Sequence, residues 1–149
     1  MDFLIGNPGL QGSNLFIELE LILHAGMFNE HMICSTDRDL CIRLCELSPR
    51  VIATNIHTVI HYADSDRNRL TSPSHPQRKE GMQRFYDTYL PRMNSKVRTK
   101  SLARANNLFD FDYAESTAHI SGDELQKTPF PAPPINLTVG IICGHWQQV

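Results

Sequence analysis

The stretch from Val51 to Tyr62 constrains the fold most, because seven of its twelve residues are β-branched. Residues of this kind favour an extended strand. Apolar residues at helical spacing lie on both sides of it, Leu40, Cys41, Leu44 and Cys45 before and Met82, Phe85, Tyr86 and Tyr89 after. A strand between two amphipathic helices predicts the α/β class, with α+β as the alternative.

Turn residues organise the first part of the chain. Residues 6–9 (Gly-Asn-Pro-Gly) form a turn cluster, and Leu15–Ile17 is a short extended run. The apolar residues of 19–23 predict a helix, and Gly26 is placed to end it in the left-handed conformation.

Two further helices are predicted from their ends. Ser35 or Thr36 can cap a helix that Pro49 stops. Another short helix is predicted from Ser95 to Leu108.

The character of the chain changes after Tyr113. Residues 113–135 are polar and rich in proline, which is typical of a stiff, extended linker. Residues 137–142 then predict a buried strand, near the end of the sequence and with no evident partner. We therefore expect a first domain over 1–112, a linker over 113–135, and the truncated start of a following domain over 136–149. On this interpretation the chain is a piece of a longer protein.

The net charge of −2 conceals a strong division along the chain. Residues 66–104 carry ten basic and three acidic side chains, a net charge of +7, between segments of −5 and −4. A basic block of this kind suits a solvated surface, nucleic acid or phosphates. Its aromatic residues have helical spacing rather than an arrangement for stacking bases, so no nucleic-acid partner is expected.

The four cysteines predict a reduced, cytoplasmic setting, because the sequence shows no export signal. Cys41 and Cys45 would share one helix face as small apolar side chains. A metal site built from His31, Cys34, Cys41 and Cys45 is the alternative, but its spacing fits no usual zinc pattern. No apolar run approaches the ~18 residues that a membrane helix needs.

Three short motifs follow one another in the middle of the chain. They are Gly26-Met27-Phe28-Asn29-Glu30, the helix start Thr36-Asp37-Arg38-Asp39-Leu40 followed by Arg43, and Val59-Ile60-His61. In order and spacing they resemble the C-terminal half of a family 2 glycosyltransferase with the GT-A fold. The resemblance covers residues 6–112 and implies part of a mixed sheet flanked by helices. The nucleotide-binding half with its Asp-x-Asp motif does not precede these motifs, so the resemblance implies a fragment that is inactive alone.

The resemblance implies the transfer of a sugar, with inversion, from a nucleotide diphosphosugar to a hydroxyl of a saccharide or other acceptor. Asp37 is implied as the general base, a divalent Mn²⁺ or Mg²⁺ as the cofactor, and the rest of the parent polypeptide as a partner. The cytoplasm, including the inner face of the membrane, is the expected location. The other implied site residues are acceptor contacts at Gly12, Asn14 and Asp39, diphosphate contacts at Arg67 and Arg69, and a metal ligand at His61.

Each role has a plainer alternative. Asp37 can simply favour the helix N-terminus through the helix dipole. As the general base it is expected to keep a low pKa for the same reason, so that its carboxylate is ionised at neutral pH and ready to accept the acceptor hydroxyl's proton. Asp39 can be a helix-start residue, with Arg43 pairing one of the two carboxylates. His57 is a second candidate metal ligand, on the same strand face as His61.

For the whole chain, the alternative function is a non-catalytic module that docks an anionic partner through residues 66–104. If the chain is the enzyme, Asp37 and His61 should face a common cleft, lined on its far side by residues 12–14.

Overall fold

The computed structural model describes residues 2–7, 9–10, 12–53, 72, 75–113 and 138–141. Within these ranges helices and strands are mixed, as the sequence predicts. The helices are α1 (Leu19–His24), α2 (Thr36–Glu46), α3 (Arg78–Tyr89) and α4 (Ser95–Phe109), with short 3-10 helices at Asp2–Leu4, Gly12–Asn14 and Leu90–Arg92. The strands are β1 (Leu15–Ile17), β2 (Arg50–Ala53) and β3 (Thr138–Ile141). None of the helices described is long and apolar enough to cross a membrane.

Helix α1 ends where the sequence predicts. Gly26 has φ +80° and lies just beyond the helix. Its N–H donates to the Leu23 carbonyl at 3.0 Å, and the Met27 N–H donates to the Ile22 carbonyl at 2.9 Å. These two bonds form a Schellman motif, which satisfies carbonyls that the helix end leaves without partners.

Helix α2 lies between two apolar clusters. Leu40 and Leu44 pack with Leu21 and Ala25 of the α1 region. Ile42 packs into a larger cluster with residues of α3. The helix begins after Ser35, which occupies the cap position in the left-handed region (φ +62°) and makes no side-chain cap bond. It ends at Glu46, before the predicted stop at Pro49.

The larger core is built mainly from α3. The four residues predicted for its apolar face are all buried: Met82, Phe85, Tyr86 and Tyr89. Tyr86 stacks on Phe111 with a centroid distance of 5.7 Å, and its hydroxyl donates to the carbonyl of Ser101 in α4 at 3.0 Å. Helix α4 starts at the predicted residue, where the Asn94 side chain accepts a hydrogen bond from the Val97 N–H at 3.0 Å.

The three strands form one sheet in the order β1-β3-β2. Strand β3 runs antiparallel to β1, with Phe16 opposite Gly140, and parallel to β2, with Val51 opposite Val139. The expectation of an unpaired strand over 137–142 is therefore wrong. The sequence could not show this pairing, because partners so distant along the chain leave no local signal. The division of the chain into domains stays a prediction.

The strand predicted over 51–62 is described only in part. Its first residues belong to β2, which begins one residue earlier, at Arg50. Residues 54–62 lie outside the described residues.

Candidate functional site

The first turn of α2 carries Asp37, the residue implied as the general base. Its side chain is half-buried, and its Oδ1 accepts a hydrogen bond from the Arg38 N–H at 2.8 Å. Burial raises the pKa of the Asp37 carboxyl above its ordinary value, against the smaller lowering by that hydrogen bond and by the Arg38 charge. The expectation that the helix dipole keeps this pKa low is therefore wrong, because the loss of solvent outweighs it.

Asp39 is the centre of a buried network. Only 1% of the residue is exposed. Its Oδ2 accepts hydrogen bonds from Nη2 and Nε of Arg43 at 2.7 and 3.1 Å, and its Oδ1 accepts one from the Tyr89 hydroxyl at 2.6 Å. Both oxygens are thus engaged inside the protein. This carboxylate has a structural role in the described structure, and the acceptor contact implied for it stays a prediction.

Arg43 joins this network to the turn that carries the first motif. Besides pairing with Asp39, as the sequence predicts for one of the two carboxylates, it donates from Nη1 to the carbonyl of Ala25. Within the turn, the Asn29 side chain accepts the N–H of His31 at 3.0 Å. One guanidinium therefore links α2 to Ala25, the residue just before the first motif. The third motif, residues 59–61, lies outside the described residues.

Arg38 anchors the start of α2 from the other side. Its Nη2 donates to the Leu4 carbonyl at 2.9 Å, its Nε donates to the Phe3 carbonyl, and its guanidinium lies 4.0 Å from the centre of the Phe85 ring. Burial lowers the pKa of Arg38. No role for Arg38 is evident in the sequence. Its partners come from the N-terminal segment and α3, so no local signal could have identified them.

The loop predicted to contact the acceptor contains one exposed and one buried candidate residue. Gly12 is exposed, and a Cβ placed on it would have no heavy atom within 4 Å. Asn14 is buried, and its Nδ2 donates to the Gly9 carbonyl at 3.0 Å. Asn14 therefore holds the loop in shape, whereas Gly12 leaves space beside it.

Four residues of the predicted site or its alternatives lie outside the described residues: His57, His61, Arg67 and Arg69. The common cleft for Asp37 and His61 therefore stays a prediction. Within the described ranges, no three His, Cys, Asp or Glu side chains come together in a way that could hold a metal ion.

The described cysteines have free thiols. Cys34 and Cys41 are buried and Cys45 is half-buried. Burial raises the pKa of Cys41 to about 12, with a smaller contribution from the nearby Asp37 charge. These properties suit apolar packing, the first of the two interpretations above, because a thiol in this state is a poor nucleophile and a poor metal ligand.

A groove of about 500 Å³ lies on the surface, and its described lining includes none of the residues implied in catalysis. Its lining mixes both charges with one aromatic ring: Lys79, Glu80, Gln83, Asp110, Phe111 and Asp112.

Comparison with protein-family models, curated proteins and solved structures finds no match for the chain.

Proposed function

We propose that this chain is the acceptor-side part of a GT-A glycosyltransferase, acting within a longer polypeptide that supplies the nucleotide-binding half. The observation that carries the proposal is the contrast between the two carboxylates in the first turn of α2, Asp37 and Asp39. Asp39 is enclosed and fully hydrogen-bonded, whereas Asp37 is half-buried with a raised pKa. Perturbed carboxyls of this kind are candidates for proton transfer.

In the proposed reaction Asp37 acts on the acceptor hydroxyl. Its carboxylate accepts the hydroxyl proton while the acceptor oxygen bonds to the sugar carbon. The bond from that carbon to the diphosphate breaks, and the diphosphate leaves with the electron pair. A base serves best when its pKa lies nearer the working pH, and partial burial moves the Asp37 pKa in that direction.

The network around Asp39 supports this role by fixing α2. Arg43 ties the helix to the turn at Ala25, and Tyr89 ties it to α3. Arg38, the residue next to Asp37, is held by carbonyls of the N-terminal segment. These contacts hold the backbone of the first turn on two sides, which is what precise placement of a base requires.

The diphosphate contacts at Arg67 and Arg69 and the metal contact at His61 stay parts of the proposal. Guanidinium groups match phosphate oxygens in pairs and would offset the charge of the leaving group. A bound divalent cation would supply the same kind of charge stabilisation. The described residues form no such metal site, so no step above depends on one.

The test is the variant Asp37→Asn in the longer polypeptide, assayed for the initial rate of sugar transfer and for donor affinity. Asparagine keeps the size of the side chain and an oxygen for the Arg38 N–H but cannot take up a proton. Turnover should fall ~10²-fold or more, the usual scale for a lost general base, with donor affinity unchanged.

Asp110→Asn is the matched control. Asp110 is an exposed carboxylate whose backbone is left-handed (φ +48°), a conformation that asparagine also adopts. This variant should transfer sugar at the normal rate. Normal turnover by Asp37→Asn would remove Asp37 from the mechanism.

A further inference from the structure

Helix α4 differs in charge from the helices before it. It contains four basic residues and no acidic residue. Helices α2 and α3 both mix acidic and basic side chains, and some of them pair within the helix, as Arg43 does with Asp39 and Arg84 with Glu80. Helix α4 is thus the structured part of the basic block in which positive charge is concentrated.

Three of these cations and one leucine form a row. Lys96, Lys100, Arg104 and Leu108 follow at intervals of four residues, and all four are exposed, Leu108 at 56%. A four-residue step advances about 6 Å along a helix and about 40° around it, so the row extends about 18 Å along one side. The row turns through about 120° around the helix, and the buried Ser101 and Ala105 follow beyond Leu108, so the lysines lie farthest from the core side.

The N-terminal part of this row has the least compensated charge. Among the described residues, no carboxylate forms an ion pair with Lys96 or Lys100. Arg104 lies against Gly6, and the exposed carboxylates of Asp110 and Asp112 follow the end of the helix. The two lysines are therefore exposed cations that no carboxylate of the described residues pairs with.

The geometry points to a docking site for an anionic lipid bilayer on this face of α4, with the lysines and Arg104 at the phosphate headgroups and Leu108 in the interface. Basic clusters on a helix attract anionic headgroups, and each cation near the surface raises the affinity for the bilayer about fivefold. An exposed leucine in line with the cations suits a bilayer better than a nucleic acid. The aromatic residues of α3, which bases could otherwise stack on, are buried. This inference does not depend on the proposed glycosyltransferase activity.

The test is co-sedimentation of the 149-residue chain with two kinds of vesicle, phosphatidylcholine alone and phosphatidylcholine with about 30% phosphatidylserine. The chain should sediment with the anionic vesicles only, and added salt should release it. The double variant Lys96→Glu, Lys100→Glu should bind at least about 30-fold more weakly. Circular dichroism checks that it keeps its helices.

The control is Arg50→Glu, Lys79→Glu, which makes the same change in net charge at exposed residues outside α4. It should retain most of the binding. Three results would overturn the proposal: no sedimentation with anionic vesicles, equal losses in the two double variants, or tighter binding of the chain to single-stranded RNA than to the vesicles at the same salt concentration.

Discussion

Tyr89 and Arg43 show what a buried carboxylate requires. Asp39 stands on a helix that separates two apolar clusters, where an unpaired charge would cost several kcal/mol. Arg43 neutralises the charge, and the Tyr89 hydroxyl satisfies the second oxygen. The spacing of Asp39 and Arg43 by four residues predicts their pairing from sequence. The hydroxyl comes from fifty residues further along the chain, so only the fold could supply it.

Removing that hydroxyl should destabilise the protein measurably. In Tyr89→Phe, the ring keeps its packing but Oδ1 of Asp39 loses its partner in a buried site. Hydrogen bonds to charged groups contribute ~1.5–3 kcal/mol, and we expect a loss in this range in the free energy of unfolding by urea. Tyr113→Phe is the control, because its hydroxyl meets the Asp87 carboxylate at 3.0 Å in a half-buried setting. The control variant should lose less of its free energy of unfolding than Tyr89→Phe. Equal losses would show that the Asp39 network adds nothing specific.

At the scale of elements, α3 meets the segment that leads into α2 in a contact that only glycine permits. Gly81 lies in α3 against Cys34, just before α2 begins. A Cβ on Gly81 would lie 2.6 Å from the Cys34 Sγ and 2.9 Å from the Cys34 backbone nitrogen. The Sγ also lies 3.9 Å from the Arg78 carbonyl, to which it donates. The start of α2, where Asp37 stands, is therefore positioned directly by the first turns of α3.

This contact reverses the usual effect of an alanine substitution. Within a helix, replacing glycine by alanine ordinarily raises the free energy of unfolding by up to ~1 kcal/mol. Gly81→Ala should instead lower the free energy of unfolding by ~1–3 kcal/mol, because the methyl group overlaps backbone atoms that cannot rotate away. Gly12→Ala, at an open position, should have almost no effect. Chemical denaturation of both variants is the measurement. A stabilising Gly81→Ala would refute the close approach of α3 to Cys34.

The elements that were predicted well are those whose signals are local. The apolar repeat fixed the face of α3, and Gly26 fixed the end of α1, because helix periodicity and left-handed glycine act within a few residues. The pairing of β3 with β1 and β2 depends on contacts across more than eighty residues. The prediction of a low pKa for Asp37 was wrong for a related reason. The burial that raises this pKa is a property of the packed structure rather than of the helix start.

For the whole molecule, the two carboxylates of α2 have different roles. Asp39 holds the architecture together, and Asp37 does the proposed chemistry. The charge division along the chain adds a second surface on α4, distant in sequence from Asp37. The two carboxylates are alike in the sequence, and the structure separates the enclosed Asp39 from the half-buried Asp37.

The pH dependence of kcat/KM for sugar transfer, measured in the longer polypeptide and its Asp37→Asn variant, shows whether Asp37 is the base. The base works only when ionised, so the unmodified enzyme should gain activity as the pH rises through the Asp37 pKa. The midpoint should lie above the ordinary value for an aspartate, because burial raises this pKa. In Asp37→Asn this acidic limb should disappear, leaving a low rate that does not change over the same range. An Asp37→Asn enzyme with the same acidic limb would contradict the account, because another group would then be the base.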